Sequence, residues 1–206
     1  KVLFIGKLDG KTDSWNEVKD QIPAHLTCIC LALAPEFDAP KWDDIVENTA
    51  PLDQVILPEP SQLATIIYTS GSTGLPKGVM QSFGTLLAGA RELQTKYQVT
   101  EADRALSYLP LAHVAERIFI ECTLMISGFT AYFANSIETF VEDLNRAQPT
   151  LFFSVPRLWT KFYLGINEKI PLHVQKILFK IPVLGKILKK KLLTKLGLNK
   201  VRYAFT

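Results

Sequence analysis

Short apolar runs alternate with stretches of helical periodicity along most of this chain. The strand candidates are rich in β-branched and aromatic residues and span 2–5, 26–34, 64–69, 104–109, 128–133, 150–154 and 201–205. The helix candidates between them span 15–21, 42–49, 83–97, 114–125, 137–147 and 156–169. Such alternation is typical of crossover connections between parallel strands. It predicts an α/β fold of largely parallel sheets layered with helices.

The composition excludes several classes of protein. With 48% hydrophobic and 21% charged residues among 206, the chain can bury a core and is not expected to be disordered. Its net charge of +3 is too small to indicate a nucleic-acid partner. The longest apolar stretch, 118–134, is interrupted by Glu121 and is shorter than the roughly 20 residues of a membrane-spanning helix. We expect no nucleic-acid binding and no transmembrane segment.

The cysteines and the chain ends suggest where the protein belongs. Cys28, Cys30 and Cys122 have the spacing of neither a redox pair nor a zinc site, so we expect buried thiols in a reducing compartment. The chain shows no secretory signal, and we predict a cytoplasmic protein. It opens on Lys1 and carries strand-like runs at both ends. Residues 1–206 are therefore expected to be an internal piece of a larger domain.

A segment rich in Ser, Thr and Gly follows the strand candidate 64–69. Residues 68–78 read Tyr-Thr-Ser-Gly-Ser-Thr-Gly-Leu-Pro-Lys-Gly, and we refer to 69–78 as the phosphate loop. Glycines let backbone N–H groups converge, the hydroxyls add donors, and Lys77 adds a cation, which together suit a polyphosphate. The alternative is a flexible Ser/Gly turn. The predicted nucleotide-binding residues are Thr69, Ser70, Gly71, Ser72, Thr73, Gly74, Lys77 and Gly78.

The spacing within the phosphate loop excludes three common motifs. A P-loop NTPase has Ser or Thr directly after its lysine, whereas Gly78 follows Lys77 here. The G-x-G-x-x-G fingerprint of dinucleotide-binding proteins is absent from the segment. The G-x-S-x-G elbow of hydrolases is absent as well. The loop is therefore of a different type.

The eleven-residue string resembles the phosphate-binding signature of the adenylate-forming superfamily, which includes acyl-CoA synthetases, luciferases and peptide-synthetase adenylation domains. Two further strings are similar to segments of long-chain fatty acyl-CoA synthetases, namely Tyr-Leu-Pro-Leu-Ala-His-Val-Ala-Glu-Arg at 108–117 and Phe-Phe-Ser-Val-Pro-Arg-Leu-Trp at 152–159. The resemblance covers essentially the whole chain in motif order. It implies that residues 1–206 are part of the large N-terminal AMP-binding domain of such an enzyme.

The resemblance also implies an activity and roles for individual residues. The reaction would be ATP-dependent activation of a long-chain fatty acid with release of pyrophosphate, followed by thioester formation with coenzyme A; Mg²⁺ would be the cofactor. Lys77 and Thr73 would act in catalysis, and Thr69 is the candidate magnesium ligand. His113 would lie near the fatty carboxylate, unless it is a neutral histidine that caps or packs a helix start. Arg157 is expected to pair with a carboxylate or a helix end.

Two other functions stay open from the sequence. One is a ligase that transfers the acyl group to a carrier protein, and the other is a noncatalytic module that binds nucleotide or lipid. Relative to the resembled family, the sequence lacks the adenine-binding segment, the ribose and magnesium carboxylates and the C-terminal lid domain. We therefore predict no acyl-CoA synthesis by this 206-residue piece alone.

A basic segment closes the chain. Residues 171–202 contain eight Lys and one Arg but no Asp or Glu, interleaved with apolar residues. We predict that 170–202 is a basic amphipathic helical insertion. It would either lie on an anionic membrane surface, peripheral to the inner face of the membrane, or form two ordinary surface helices broken at Pro182 and Gly185.

Overall fold

The structure is a computed structural model that describes residues 1–8, 12–69 and 75–206. The chain divides into two compact units, Lys1–Leu57 and Pro58–Thr206. Each unit has its own sheet or sheets, and the sites discussed below lie in the second unit.

The first unit is built on a two-stranded parallel sheet. Strand β1 (Val2–Ile5) pairs with β2 (Thr27–Cys30), and α1 (Thr12–Val18) with a 3₁₀ turn (Lys19–Gln21) lies in the crossover that parallel pairing requires. Helix α2 (Trp42–Glu47) follows. Edge-to-face ring contacts between Trp15 and Phe37 at 5.2 Å, and between Phe4 and Trp42 at 5.8 Å, connect these elements.

The second unit begins with a β-hairpin that leads directly into a helix. Strand β3 (Leu63–Thr69) pairs antiparallel with β4 (Lys77–Ser82), and α3 (Phe83–Tyr97) follows β4 without a loop. The Ser82 hydroxyl caps α3 by accepting a hydrogen bond from the Thr85 amide at 3.2 Å.

A four-stranded parallel sheet forms the rest of the second unit. Its strands are β5 (Arg104–Ser107), β6 (Thr130–Phe133), β7 (Leu151–Phe153) and β8 (Tyr203–Phe205), in the order β6-β5-β7-β8. The connections contain α4 (Val114–Glu116), a π-helical segment (Arg117–Cys122), α5 (Thr123–Ser127), α6 (Phe140–Ala147), α7 (Pro156–Lys169), α8 (Leu172–Lys180) and α9 (Pro182–Lys195).

Helices cover this sheet on both faces. Neighbouring residues of a strand point to opposite sides, so Ala105 and Leu106 belong to different core clusters. Leu106 packs with Leu144, Ala147, Phe152, Phe162 and Leu198 on one face. Ala105 packs with Val99, Ile120, Phe129 and Leu151 on the other. The α/β fold of largely parallel, helix-layered sheets predicted from the sequence is confirmed.

Among the predicted element boundaries that differ from the structure, two do so because a turn intervenes. The strand expected over 26–34 ends at Cys30, since the Ala34 amide folds back to the Leu31 carbonyl at 3.0 Å. The helix expected from residue 137 begins at Phe140. There, the Ser136 and Thr139 side chains each accept a hydrogen bond from the other's backbone amide, at 3.3 and 3.2 Å, and hold a turn outside the helix.

The basic segment forms two successive helices, α8 and α9, which meet at Ile181 and which we call the α8–α9 hairpin; it is broken only once. Pro182 occupies the first turn of α9, where its missing N–H costs nothing. Gly185 was expected to break the helix, and that prediction is wrong: it lies within α9 and is buried. A Cβ on Gly185 would lie 3.3 Å from the Phe179 Cα, so the glycine serves the close approach of the two helices.

The three cysteines are free thiols. Cys30 and Cys122 are buried as predicted, whereas Cys28 is only half-buried. Among the helices of the described residues, none is at once long and apolar enough to cross a bilayer.

Candidate functional site

The β3–β4 hairpin forms the base of the phosphate loop. Thr69, the last residue of β3, is the register partner of Lys77, the first residue of β4, and Thr69 Oγ1 donates a long 3.4 Å hydrogen bond to the Lys77 carbonyl. The structure therefore brings two predicted site residues together at the neck of the loop. The other predicted nucleotide ligands between them, Ser70, Gly71, Ser72, Thr73 and Gly74, lie outside the described residues.

Strand β4 was not predicted, and it places Lys77 and Gly78 on a strand rather than in a loop. Gly78 is the register partner of Tyr68. A Cβ added to Gly78 would lie 2.8 Å from Ile66 Cγ2 and 3.4 Å from the Tyr68 ring. Side chains of β3 thus lie over the space where a side chain on residue 78 would be, and the glycine is required by the packing of the hairpin.

A second set of polar groups lies at the carboxyl edge of the parallel sheet. The chain passes from β5 to β6 on one side and from β7 to β8 on the other, so the ends of the neighbouring strands β5 and β7 form a topological switch point. Open α/β sheets bind ligands at such points. Tyr108 follows β5 here, and Ser154 follows β7.

Tyr108 is held in place by packing rather than by hydrogen bonding. Its ring contacts Phe140 edge to face at 5.0 Å. Its buried hydroxyl lies beside Ser154 and the Val155 backbone, but no described group forms a hydrogen bond of normal geometry with it. Burial raises the pKa of the phenol. A buried, unpaired hydroxyl at a switch point is available to a ligand or a water molecule.

Glu116 is a deeply buried charged group at this edge, with 2% of its surface exposed. Its carboxylate accepts a hydrogen bond from the Ser107 hydroxyl at 2.5 Å, and the Tyr108 and Leu109 backbone amides lie near it as further donors. Burial raises the pKa of Glu116, although these donors and the nearby His113 act in the opposite direction. The carboxylate therefore connects the end of β5, through Ser107, to α4.

His113 occupies the residue before α4 in an extended conformation, with φ −91° and ψ 126°. The side chain is exposed, and it forms no capping hydrogen bond within the described part of the chain. The side-chain cap considered from the sequence is therefore not formed. The imidazole lies close enough to Glu116 to favour the ionised carboxylate.

Residues 114–127 form one helical stretch, which confirms the helix predicted over 114–125 and adds an unpredicted π-helical segment. The Ile118 carbonyl accepts bonds from both the amide and the hydroxyl of Thr123, the latter at 2.6 Å. Segments of this kind are frequent at functional sites. Phe119 within it stacks on Phe153 with ring centroids 4.5 Å apart, and so the segment packs against the carboxyl end of β7.

Thr69 was predicted to bind magnesium, and the structure leaves its hydroxyl exposed. Within residues 1–8, 12–69 and 75–206, no three His, Cys, Asp or Glu side chains are grouped to hold a metal ion. A single exposed hydroxyl is an oxygen donor of the kind that Mg²⁺ accepts, but it is only one ligand of such an ion.

Arg157 was expected to pair with a carboxylate or a helix end. It is exposed in the first turn of α7 and forms no ion pair with a described carboxylate, so the first of these two expectations is wrong.

Sequence reasoning missed Glu116, Ser107, Tyr108 and Ser154 as site residues. The signal available was weak: an acidic residue three positions after His113, in the first turn of a predicted helix. What makes the group distinctive is the convergence of buried donors on one carboxylate, and only the fold supplies that.

The amino-acid sequence matches a known family over most of its length. The family described as AMP-binding enzyme matches residues 1–196. Among curated proteins, the chain is 33% identical over 135 residues to long chain acyl-CoA synthetase 5 of Arabidopsis thaliana, covering 63% of this chain and 20% of that protein. It is 32% identical over 133 residues to long-chain-fatty-acid–CoA ligase 5 of Mus musculus, with the same coverage of 63% and 20%. The chain thus spans about a fifth of the length of the curated relatives it matches.

Solved structures share the fold at lower identity. The adenylation domain of a carboxylate reductase from Mycobacterium chelonae superposes with a TM-score of 0.65 at 22% identity, covering 99% of this chain and 31% of that one. A didomain of a carboxylic acid reductase from Segniliparus rugosus, in complex with AMP, gives a TM-score of 0.61 at 23% identity, covering 98% and 28%. At these identities the likeness shows the fold of an adenylation domain.

Proposed function

We propose that this chain, which belongs to the family of AMP-binding enzymes, is the phosphate-loop segment of a long-chain fatty acyl-CoA synthetase. The full-length protein would join a long-chain fatty acid to AMP with release of pyrophosphate, and then pass the acyl group to coenzyme A. The observation that carries this proposal is the Ser/Thr/Gly-rich phosphate loop closed by the paired residues Thr69 and Lys77.

The chemistry explains why such a loop is needed. In the first step a carboxylate approaches the α-phosphate of ATP, so two anions must meet, and charge repulsion and positioning dominate the barrier. Lys77, at the neck of the loop, would neutralise charge on the departing pyrophosphate. The amides and hydroxyls of residues 70–74, with Thr73 among them, would hold the outer phosphates. Magnesium supplies further neutralisation of phosphate charge when it is bound.

The switch-point residues would serve the fatty acid. His113 is exposed beside the carboxyl edge of the sheet, and a histidine there would orient the fatty carboxylate rather than act as a base. Glu116 fixes the turn that carries His113 through its bond to Ser107 and its position beside two backbone amides. Glu116 is thus a positioning residue in this proposal.

Fatty-acid-dependent exchange of labelled pyrophosphate into ATP by the full-length protein tests the first step. We expect Lys77→Ala and Thr73→Ala each to reduce exchange by about 10²-fold or more, as for the loss of a transition-state donor elsewhere. Lys161→Ala removes an exposed lysine from α7 and is the matched control, for which exchange should stay unchanged. Exchange by both loop variants at the wild-type rate would contradict the proposal.

The acceptor is tested separately. Full-length protein that exchanges pyrophosphate but transfers the acyl group to a carrier protein in preference to coenzyme A would be a fatty acyl-adenylate ligase instead. Protein that binds ATP yet never exchanges pyrophosphate would be a noncatalytic module.

A further inference from the structure

The α8–α9 hairpin exposes apolar side chains that take no part in its packing on the domain. Leu193 of α9 and Leu196, the residue directly after α9, pack on the core cluster around Leu144. Val183 is 68% exposed and Ile187 is 59% exposed. At 100° per residue, Val183 lies about 80° and Ile187 about 120° around the axis of α9 from the core-facing Leu193. Helix α9 therefore has one apolar face for the core and a second apolar patch that faces solvent.

Helix α8 shows the same division. Its half-buried residues Val174, Gln175 and Leu178 share one side of the helix. On the other side Lys176 and Lys180 are exposed, flanked by Ile177 at 60% and Phe179 at 50% exposure. Each helix thus presents lysines next to exposed apolar side chains. We call this the hairpin surface; it comprises Lys176, Ile177, Phe179, Lys180, Val183, Lys186, Ile187, Lys190 and Lys191.

The charge of the hairpin surface has a single sign. The two helices contain seven lysines and no acidic residue, and Lys190, Lys191, Thr194 and Lys195 line an open depression beside Ile187. Lysine is depleted from the cores of protein interfaces, which makes another protein surface, or another part of the same polypeptide, a poor fit. At a lipid surface lysine is favourable, because its stem lies among apolar groups while its ammonium stays at the phosphates.

We propose that the hairpin surface docks on an anionic lipid bilayer. Phe179, Val183 and Ile187 enter the boundary between headgroups and acyl chains, and the surrounding lysines lie at the lipid phosphates. Leu193 near the end of α9 and Leu196 directly after it hold the hairpin to the domain. The proposal does not depend on the enzymatic activity, because its observations concern packing, exposure and charge alone.

Cosedimentation of the full-length protein with phosphatidylcholine vesicles, with and without phosphatidylserine, tests the docking. We expect binding that requires phosphatidylserine and weakens as salt is added. Lys190→Gln/Lys191→Gln should lower vesicle affinity by about 30-fold, given the typical contribution of a lysine near an anionic surface. Val183→Gln/Ile187→Gln should lower it by roughly tenfold or more, since both side chains are largely exposed and the change leaves the core intact.

A matched charge change controls for net charge. Lys41→Gln/Lys161→Gln removes two exposed lysines outside the hairpin and should leave vesicle affinity unchanged. Equal binding to neutral and anionic vesicles, no cosedimentation at all, or equal losses in the control and the hairpin variants would each overturn the proposal. Binding of a single-stranded oligonucleotide through Lys190 and Lys191, with no binding of vesicles, would identify a nucleic-acid site and would overturn it too.

Discussion

Arg202 and Asp103 lie 99 residues apart in the sequence, yet one guanidinium nitrogen of Arg202 donates to both Asp103 carboxylate oxygens, at 2.7 and 2.9 Å. Asp103 is 1% exposed and also accepts bonds from the Thr150 hydroxyl and the Thr100 amide. Asp103 precedes β5, Thr150 precedes β7 and Arg202 precedes β8. One buried carboxylate therefore connects the amino ends of three neighbouring strands.

Replacing Arg202 with Gln should destabilise the second unit, because the buried carboxylate then loses its cation. We expect the free energy of unfolding to fall by about 2 kcal/mol, a value reduced because Arg202 itself is partly exposed. Chemical denaturation followed by tryptophan fluorescence measures the change. Arg157→Gln, at an exposed arginine without an ion pair to a described carboxylate, is the control and should change stability by less than about 0.5 kcal/mol.

The same pair predicts a dependence on pH. Burial alone would raise the pKa of Asp103, but bonds from Thr150, the Thr100 amide and Arg202 outweigh it and hold that pKa below its ordinary value. The stabilisation is therefore present above the ordinary Asp range, about pH 3.9, and is lost as the pH falls through the lowered pKa. In Arg202→Gln the loss of stability in acid should be shallower. If the free energy of unfolding falls equally steeply on acidification in wild type and in Arg202→Gln, this assignment is contradicted.

The fold followed from the sequence wherever the signal was local. Strands such as β5 and β7 are short apolar runs between helical stretches, because they are buried on both faces of the sheet. Such runs can be recognised in the sequence without knowing which strands pair with them. Strand β4 was missed because Lys77 and Gly78 belong to a loop motif, and only pairing with β3 makes them a strand. Gly185 was misread because a glycine required for a close approach looks in sequence like one that ends a helix.

The candidate site divides in the same way. Thr69 and Lys77 were found from spacing, since a phosphate-binding loop is contiguous in sequence. Glu116 was not, because its role arises from burial and from donors after β5 that converge on it in three dimensions. The π-helical segment, likewise, reflects the packing of 117–122 on neighbouring elements more than any local propensity.

Gly78→Ala tests the packing of the loop's base. The new Cβ would lie 2.8 Å from Ile66 Cγ2, so the β3–β4 hairpin must shift, at a cost of about 1–2 kcal/mol. Displacing the hairpin also moves Lys77, and we expect weaker ATP binding by the full-length protein in a fluorescence titration. Gly165→Ala is the matched control: it lies in α7 with nothing within 4 Å of the added Cβ. That variant should be stabilised by up to about 1 kcal/mol, with ATP affinity unchanged.

Glu116→Gln tests the anchor of the turn after β5. The new amide group would face the donors of Ser107, Tyr108 and Leu109, and a mispaired buried donor costs about 1–3 kcal/mol. Because burial raises the pKa of Glu116, its ionisation opposes folding. The contribution of Glu116 to the free energy of unfolding is full below the ordinary Glu range, about pH 4.3. It declines as the pH rises through the raised pKa. The difference in unfolding free energy between wild type and variant should therefore narrow as the pH is raised.

A comparison with Glu168→Gln, on an exposed position of α7, separates this effect from the general loss of a carboxylate. That control should stay within about 0.5 kcal/mol of wild type at every pH. A difference between wild type and Glu116→Gln that widens with rising pH would show that the carboxylate is stabilised as an anion, contrary to the expectation.

Alanine substitutions at Gly197 and Gly128 distinguish the cost of backbone strain from the cost of a steric clash. Both glycines have left-handed conformations, with φ of +72° and +71°. A Cβ on Gly197 would lie 2.5 Å from the Leu144 carbonyl carbon, whereas the nearest atom to a Cβ on Gly128 is 3.8 Å away. Gly128→Ala should thus cost only the conformational term, about 1–2 kcal/mol. Gly197→Ala adds a clash with the backbone of α6 and should cost about 3 kcal/mol or more. Equal losses of unfolding free energy in the two variants would mean that α9 moves away from α6 at little cost. The hairpin surface would then lack the rigid attachment on which docking depends.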